Sequence, residues 1–187
     1  MQENVNINSI NYALTRSNDN TQEILQKNGC NYTLVEPSDF SHSATREMMA
    51  KKCNGDIIVF ISQDIIIKRK DWLFNLTKDI INGNCEAAYS RQISSKDNIE
   101  KYTREKNYGS HSFIKTKKDI HKLGLNTFFF SDASSAIDRK VFESLNYYDG
   151  KRFTSNEDQY IAHKLIMNGY RIKDCADSEV IHSHDFN

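Results

Sequence analysis

The segment that most constrains this chain is Asp56 to Ser62, whose interior is an unbroken apolar run, Ile57, Ile58, Val59, Phe60 and Ile61. A strand with one wet face alternates apolar and polar residues, so a continuous β-branched run indicates burial on both faces. The run follows a helix-like stretch that begins after Ser43, places Met48, Met49 and Cys53 on one side, and stops at Asn54 and Gly55. A left-handed cap costs little at Asn or Gly. Helix, cap and buried strand in direct succession predict an α/β domain with 56–62 as a central strand of a mostly parallel sheet flanked by helices.

The rest of the chain continues the alternation. Thr21 to Asn28 reads as a helix closed by Gly29, and Cys30 to Val35 as a strand ended by Pro37. Asp71 is a fitting N-cap for a helix carrying Trp72, Leu76 and Ile80 at i, i+4 and i+8 and ended by Asn82 and Gly83. Ala87 to Arg91 reads as a strand, Arg139 to Ser144 as a short helix, and Glu157 to Asn168 as a long one with Ile161, Ala162, Leu165 and Ile166 inward. Arg171 to Cys175 and Val180 to His184 close the chain as strands. Residues 94–126 are polar and weakly periodic, a long excursion with one helix near Asn98 to Asn107, and such excursions usually serve binding. No clear strand precedes Tyr12. Without repeats or linkers, the expected division is one domain over residues 1–187.

Charge narrows the function classes. The 187 residues hold 25 Lys and Arg against 25 Asp and Glu, so there is no basic surplus to neutralise a phosphate backbone and nucleic acid is excluded as a partner. Apolar runs fall far short of the roughly 20 residues that span a bilayer. The expectation is a cytoplasmic chain with at most peripheral contact at the inner face of a membrane. Cys30, Cys53, Cys85 and Cys175 show no C-x-x-C spacing, which suits reduced structural thiols better than disulfides or a zinc module.

Three places have the right chemistry. Asp64 follows the buried strand, and in open α/β sheets ligands bind beyond the carboxyl ends of strands. Glu157 and Asp158 open the last long helix, where acids also sit for the sake of the macrodipole alone. His182 and His184, two apart on a strand, face the same way and can present nitrogen to a metal or phosphate. Taken singly, each has a plain structural reading as a turn carboxylate, helix-start acids or surface histidines.

Order and spacing give them a common meaning. Phe40-Ser-His42-Ser-Ala-Thr45-Arg46 leads into Gly55-Asp56-Ile-Ile-Val-Phe60-Ile-Ser-Gln63-Asp64, followed by Tyr89-Ser-Arg91-Gln92, Asn107-Tyr108, Phe129-Phe-Ser-Asp132-Ala-Ser-Ser135-Ala-Ile-Asp-Arg139, Glu157-Asp158-Gln159, Gly169-Tyr170-Arg171-Ile172 and Val180-Ile-His182-Ser-His184. This series resembles family 2 glycosyltransferases of the bacterial rhamnosyltransferase-like kind over roughly residues 15–187. The resemblance implies a GT-A-like fold, here amino-terminally truncated, with residues 1–14 divergent or incomplete and the usual first nucleoside-binding strand missing. It implies inverting transfer of a sugar, with dTDP-rhamnose as the suggested donor, to a glycan or lipid-linked acceptor in surface polysaccharide synthesis.

By the same resemblance, a divalent cation, Mg²⁺ or Mn²⁺, would be held by Asp64 with His182 or His184. Arg46, Gln63, Asp64 and Asp132 would bind the donor, and Arg91, Gln92 and Ser135 would contact sugar or acceptor. Asp158 would be the catalytic base, its pKa lowered by the helix N-terminus, and Glu157 would orient it or bind the acceptor. The alternative is a catalytically inactive fragment of the same fold that acts as a binding module.

Overall fold

The structure is a computed structural model, and it describes residues 2–94 and 99–182. Strand β1 (Asn11–Thr15), helix α1 (Thr21–Lys27) and strand β2 (Asn31–Val35) form a parallel β-α-β unit of two paired strands. Helix α2 (His42–Ala50) starts at Ser41, whose hydroxyl caps the Ala44 N–H, two residues earlier than its sequence pattern suggests. Then come β3 (Ile57–Ile61), the two-residue β4 (Ile65–Ile66), α3 (Trp72–Ile81), β5 (Ala87–Ile93), α4 (Ile99–Asn107), β6 (Phe113–Lys115) and α5 (Ile120–Leu123). The chain closes with β7 (Ser134–Asp138), α6 (Arg139–Ser144), α7 (Glu157–Met167) and β8 (Ile172–His182).

The larger sheet runs β3-β7-β5-β8-β4, with β6 also on β8. Strands β3, β5 and β8 point the same way, β7 lies between β3 and β5 in the opposite sense, and β4 and β6 run antiparallel to β8. Strand β3 therefore sits at one end of this sheet rather than at its centre: among the described residues it pairs only with β7. Its apolar run nonetheless serves two cores. Ile58 and Phe60 join Phe142, Tyr148, Ile161 and Leu165 on one face, while Ile57 and Val59 lie against the Trp72, Leu76 and Ile80 cluster on the other. Only Ile61, 51% exposed at the open end, escapes burial.

Strand β8 is continuous where two strands were expected, because a bulge absorbs the polar stretch between them. Cys175 pairs with Ser90 but Glu179 with Arg91, so residues 176–178 are extra on the β8 side. A buried hydroxyl knot holds the bulge. Ser90 Oγ accepts from Trp72 Nε1 at 3.0 Å and lies 2.6 Å from Ser134 Oγ and 3.0 Å from Ser178 Oγ, and Ser178 donates to the Trp72 carbonyl. A bulge re-aims the strand beyond it, and the strand beyond this one ends in His182. Ser90→Ala leaves the buried indole N–H unpaired and is expected to cost about 1–3 kcal/mol, read as a lower urea midpoint at unchanged slope. An unchanged midpoint would mean that the knot does not hold the bulge.

All four cysteines are free, and burial raises Cys85 and Cys175 to about 12, consistent with inert structural thiols. Among the described residues no helix is long and apolar enough to cross a membrane.

Candidate active site

The antiparallel pairing of β4 with β8 sets Ile65 opposite His182, which brings the preceding Asp64 to the imidazole across 118 positions of sequence. His182 Nε2 lies 2.8 Å from Asp64 Oδ2, and its Nδ1 lies 2.7 Å from Gln92 Oε1. Gln92 is buried and its amide is oriented from both ends: Arg104 donates to Oε1 at 2.7 Å, and Nε2 donates to Ser131 Oγ at 2.7 Å. Nδ1 also faces the donor Arg104 Nη1 at 2.9 Å, so it stands between a donor and an acceptor. Nε2 and Asp64 Oδ2 face each other at a spacing that a shared proton or a cation can bridge.

This donor set suits a hard divalent ion. Ligands about 2.0–2.1 Å from an octahedral centre stand about 3 Å apart when adjacent, close to the spacing already present. Gln92 and Arg104 are the outer partners that hold the imidazole in place. Among the described residues no group of three or more His, Cys, Asp or Glu side chains gathers as a metal cage, so a cation here would take most of its ligands from substrate and water. His184 lies outside the described residues.

Ser131 leads to the second cluster through its neighbour Asp132. Asp132 is 2% exposed, accepts from Ser135 Oγ at 2.8 Å and from Tyr148 OH at 2.9 Å, and faces Arg46 Nε at 3.8 Å. Arg46 Nη1 also donates to Glu157 Oε1 at 2.7 Å. The turn that delivers Tyr148 is strained, with Asn146, Tyr147 and Asp149 all at positive φ. The buried Glu47 steadies it by accepting from the N–H groups of Tyr148 and Gly150 at 3.1 and 3.3 Å. Backbone strain of this kind persists where surrounding contacts over-determine it.

These contacts show where the residues singled out in the sequence lie. Arg46, expected as a clamp on donor phosphate, spends its guanidinium on Glu157 and Asp132. Asp132 and Ser135, expected to touch donor and sugar, are buried and bonded to each other. Gln63 is exposed on the turn between β3 and β4, and Arg91 is half-buried with Glu179 3.5 Å away.

Asp158 is the clearest reversal. The N-terminus of α7 was expected to lower its pKa, but the carboxyl is raised to about 7, chiefly by burial and then by the negative charges of Asp132 and Glu157. A 2.7 Å hydrogen bond from the Gln159 N–H and the charge of Arg46 only partly offset this. Glu157 is fixed by its ion pair, leaving Asp158 as the carboxyl of the pair poised to exchange a proton near neutrality. Tyr148, Ser131 and Arg104 contact the candidate site groups and are not singled out by the sequence pattern. Tyr148 had a faint signal, a large aromatic among Asn, Asp and Gly in a turn. Arg104 lay in the polar excursion with nothing to mark it.

The profile of the family described as glycosyl transferase family 2 matches residues 15–145. The O-antigen chain rhamnosyltransferase RfbN of Salmonella typhimurium is 36% identical over 155 residues, covering 81% of this chain and 49% of RfbN. The O-antigen chain rhamnosyltransferase WbaN of Salmonella anatum is 34% identical over 173 residues, covering 91% of this chain and 55% of WbaN. The chain thus spans about half the length of the curated relatives it matches. Among solved structures, the fold is similar to that of a mannosyltransferase from Pyrobaculum calidifontis in complex with GDP-Man and Mn²⁺, with TM-score 0.66 and 17% identity over 96% of this chain and 48% of the other. It is similar also to GalNAc-T7 with UDP, GalNAc and Mn²⁺, with TM-score 0.68 and 13% identity over 96% of this chain and 38% of the other. The fold is accordingly α/β of the GT-A kind, and with 131 consecutive residues under the family profile the chain belongs to glycosyl transferase family 2.

Proposed function

We propose that this chain carries the catalytic face of an inverting glycosyltransferase that moves a sugar, rhamnose by analogy with RfbN and WbaN, from a nucleotide diphosphate to a glycan or lipid-linked acceptor in O-antigen synthesis. The observation that carries the reading is the pairing of a proton-exchanging carboxyl, Asp158, with a cation-suited pair, Asp64 and His182, through the Ser131–Asp132 turn. Asp158 takes the proton of the acceptor hydroxyl as that oxygen forms its bond to the anomeric carbon. The bond from that carbon to the diphosphate breaks on the opposite face, its electron pair leaves with the nucleoside diphosphate, and the configuration inverts. Glu157, anchored by Arg46, positions Asp158.

Asp64 and His182 would hold Mg²⁺ or Mn²⁺, which supplies charge to the departing diphosphate. Gln92 and Arg104 keep the imidazole in place. The test is release of dTDP from dTDP-rhamnose with a saccharide acceptor, with and without Mn²⁺. Asp64→Ala is expected to abolish the response to Mn²⁺, and Gln92→Ala to weaken metal affinity by about 10–100-fold. Metal-independent transfer that survives Asp64→Ala would overturn the cation assignment. Absence of any transfer, with nucleotide binding retained, would favour the binding-module alternative.

A further inference from the structure

The turn that joins the two clusters is itself held by a buried cation that the proposed reaction does not use. Lys115, the last residue of β6, is 1% exposed and pairs with Ile172 at the start of β8. Its ammonium donates to the Phe129 carbonyl, lies 3.2 Å from Tyr89 OH, and stands 4.8 and 5.7 Å from the ring centroids of Tyr89 and Phe129. Tyr89 in turn donates to Asp174 Oδ2 at 2.9 Å, and both are buried. A phenol thus bridges cation and carboxylate, and Asp174 Oδ1 accepts no hydrogen bond among the described residues. Burial deprives the ammonium of water and draws Lys115 down to about 8 despite the opposing charge of Asp174. A methionine would fill similar space without that penalty. What the ammonium adds is a donor aimed at one carbonyl and a charge opposite one carboxylate.

That carbonyl stands two residues before Ser131 and three before Asp132. Ser131 accepts from Gln92, and Asp132 accepts from Tyr148 and Ser135 and faces Arg46. Beyond the turn, the Ala133 carbonyl accepts from the Ser62 N–H at 3.0 Å, just past β3. The turn is therefore pinned at both ends, by Lys115 where it enters and by the end of β3 where it leaves. We propose that Lys115 is a positioning residue of the transfer site: its ammonium holds the Phe129 carbonyl and thereby sets where Ser131 and Asp132 stand relative to Gln92 and Arg46. The inference rests on the glycosyltransferase reading and adds a residue to it. Lys115 acts through the turn, while Tyr89 and Asp174 keep its ammonium aimed. Releasing the turn changes two things at Asp158: the negative charge of Asp132, which raises its pKa, recedes, and Arg46 is left to the Glu157–Asp158 pair. Both lower the pKa of Asp158.

The experiment compares the full chain as wild type, Lys115→Met, the charge-balanced Lys115→Met/Asp174→Asn double variant and Tyr89→Phe. The readouts are thermal melts, the ¹³C titration of the Asp158 carboxyl identified against Asp158→Asn, and release of dTDP from dTDP-rhamnose. Lys115→Met is expected to lose stability, because Asp174 is left buried without its opposite charge; the double variant removes both charges and recovers Tm. In the folded double variant the Phe129 carbonyl still lacks its donor. The Asp158 midpoint is then expected to fall below its wild-type value of about 7 and kcat to fall by about 10²-fold, with KM changed far less. Tyr89→Phe keeps the bond from Lys115 to Phe129 and is expected to lose stability while retaining the midpoint. A double variant whose midpoint is unchanged or raised, or whose kcat returns together with Tm, would overturn the proposal by showing that Lys115 only stabilises the core. Should the double variant not fold, Tyr89→Phe decides: a midpoint that falls along with Tm while Lys115 is intact overturns the proposal, and a retained midpoint supports it. A wild type that releases no dTDP, with the midpoints shifting as expected, would instead sink the transfer reading and leave the hold of Lys115 on the turn standing.

Discussion

Asp158→Asn is expected to lower sugar transfer by about 10²–10⁴-fold, the usual contribution of a positioned base, and at the same time to make the folded chain more stable at neutral pH. Both effects come from the same burial. The folded carboxyl titrates at about 7 against 3.8 for the free side chain. Below the lower value both states are protonated and the residue is neutral to stability. Between the two, the folded state holds a proton that the unfolded state has released, so stability falls as pH rises; above about 7 both are ionised and the penalty levels off. Three pKa units correspond to at most about 4 kcal/mol, and local relaxation reduces it. Asparagine removes the penalty, so the variant's gain in Tm is expected to be small at pH 4.5 and several degrees at pH 8, at about 2–4 °C per kcal/mol. With Asp158 as the base, the wild-type rate is expected to rise about tenfold per pH unit up to pH 7 and then flatten. Melts in which the variant's advantage is the same at both pH values, or a rate that is already flat at pH 5.5, would show that Asp158 is not the buried group.

What was legible in the sequence was whatever the local pattern sufficed to fix. The apolar run of β3, the i, i+4, i+8 stripe of α3 and the Gly stops of α1, α3 and α7 depend on neighbours a few residues away, and the structure has these elements within a few residues of their predicted bounds. Strand β7 was not legible, because Ser134, Ser135 and Ala136 carry little β propensity and owe their burial to β3 and β5 on either side. Nor was β1, whose first three residues are exposed. Placing β3 at the centre failed for a related reason: an apolar run reports that both faces are covered, not how many neighbours lie along the edges.

The site shows the same division. Asp64, Glu157, Asp158 and His182 were visible as residue types at strand and helix ends, and the meeting of Asp64 with His182 results from strand pairing. What each group does was hidden, because it depends on burial and charge supplied from afar. The helix N-terminus is a local feature and pointed to a low pKa for Asp158. Asp132, 26 positions away in sequence, and the desolvation around it reversed the sign. Nothing near Arg46 in sequence revealed that it pairs with Asp132 and Glu157.

The pairing of Arg46 with Asp132 and Glu157 carries the largest expected effect on stability. Arg46 is the cation facing two carboxylates that are nearly out of solvent, Glu157 with its side chain 9% exposed and Asp132 with its side chain 2% exposed. Arg46→Ala leaves both without their opposite charge, and breaking a buried pair from one side costs about 3–5 kcal/mol, or on the order of 10 °C in Tm for a chain of this size. Arg46→Lys restores the charge without the fork and is expected to recover part of the stability. Catalysis supplies a second readout. Arg46 is among the influences that lower the pKa of Asp158, so its removal raises that pKa further and moves the rise in rate to higher pH, in whatever fraction of the variant remains folded. A phosphate clamp predicts the opposite set of results, with Tm and the pH profile unchanged and donor KM raised. Thermal melts together with one rate profile therefore decide whether Arg46 binds substrate or holds the acidic pair in place.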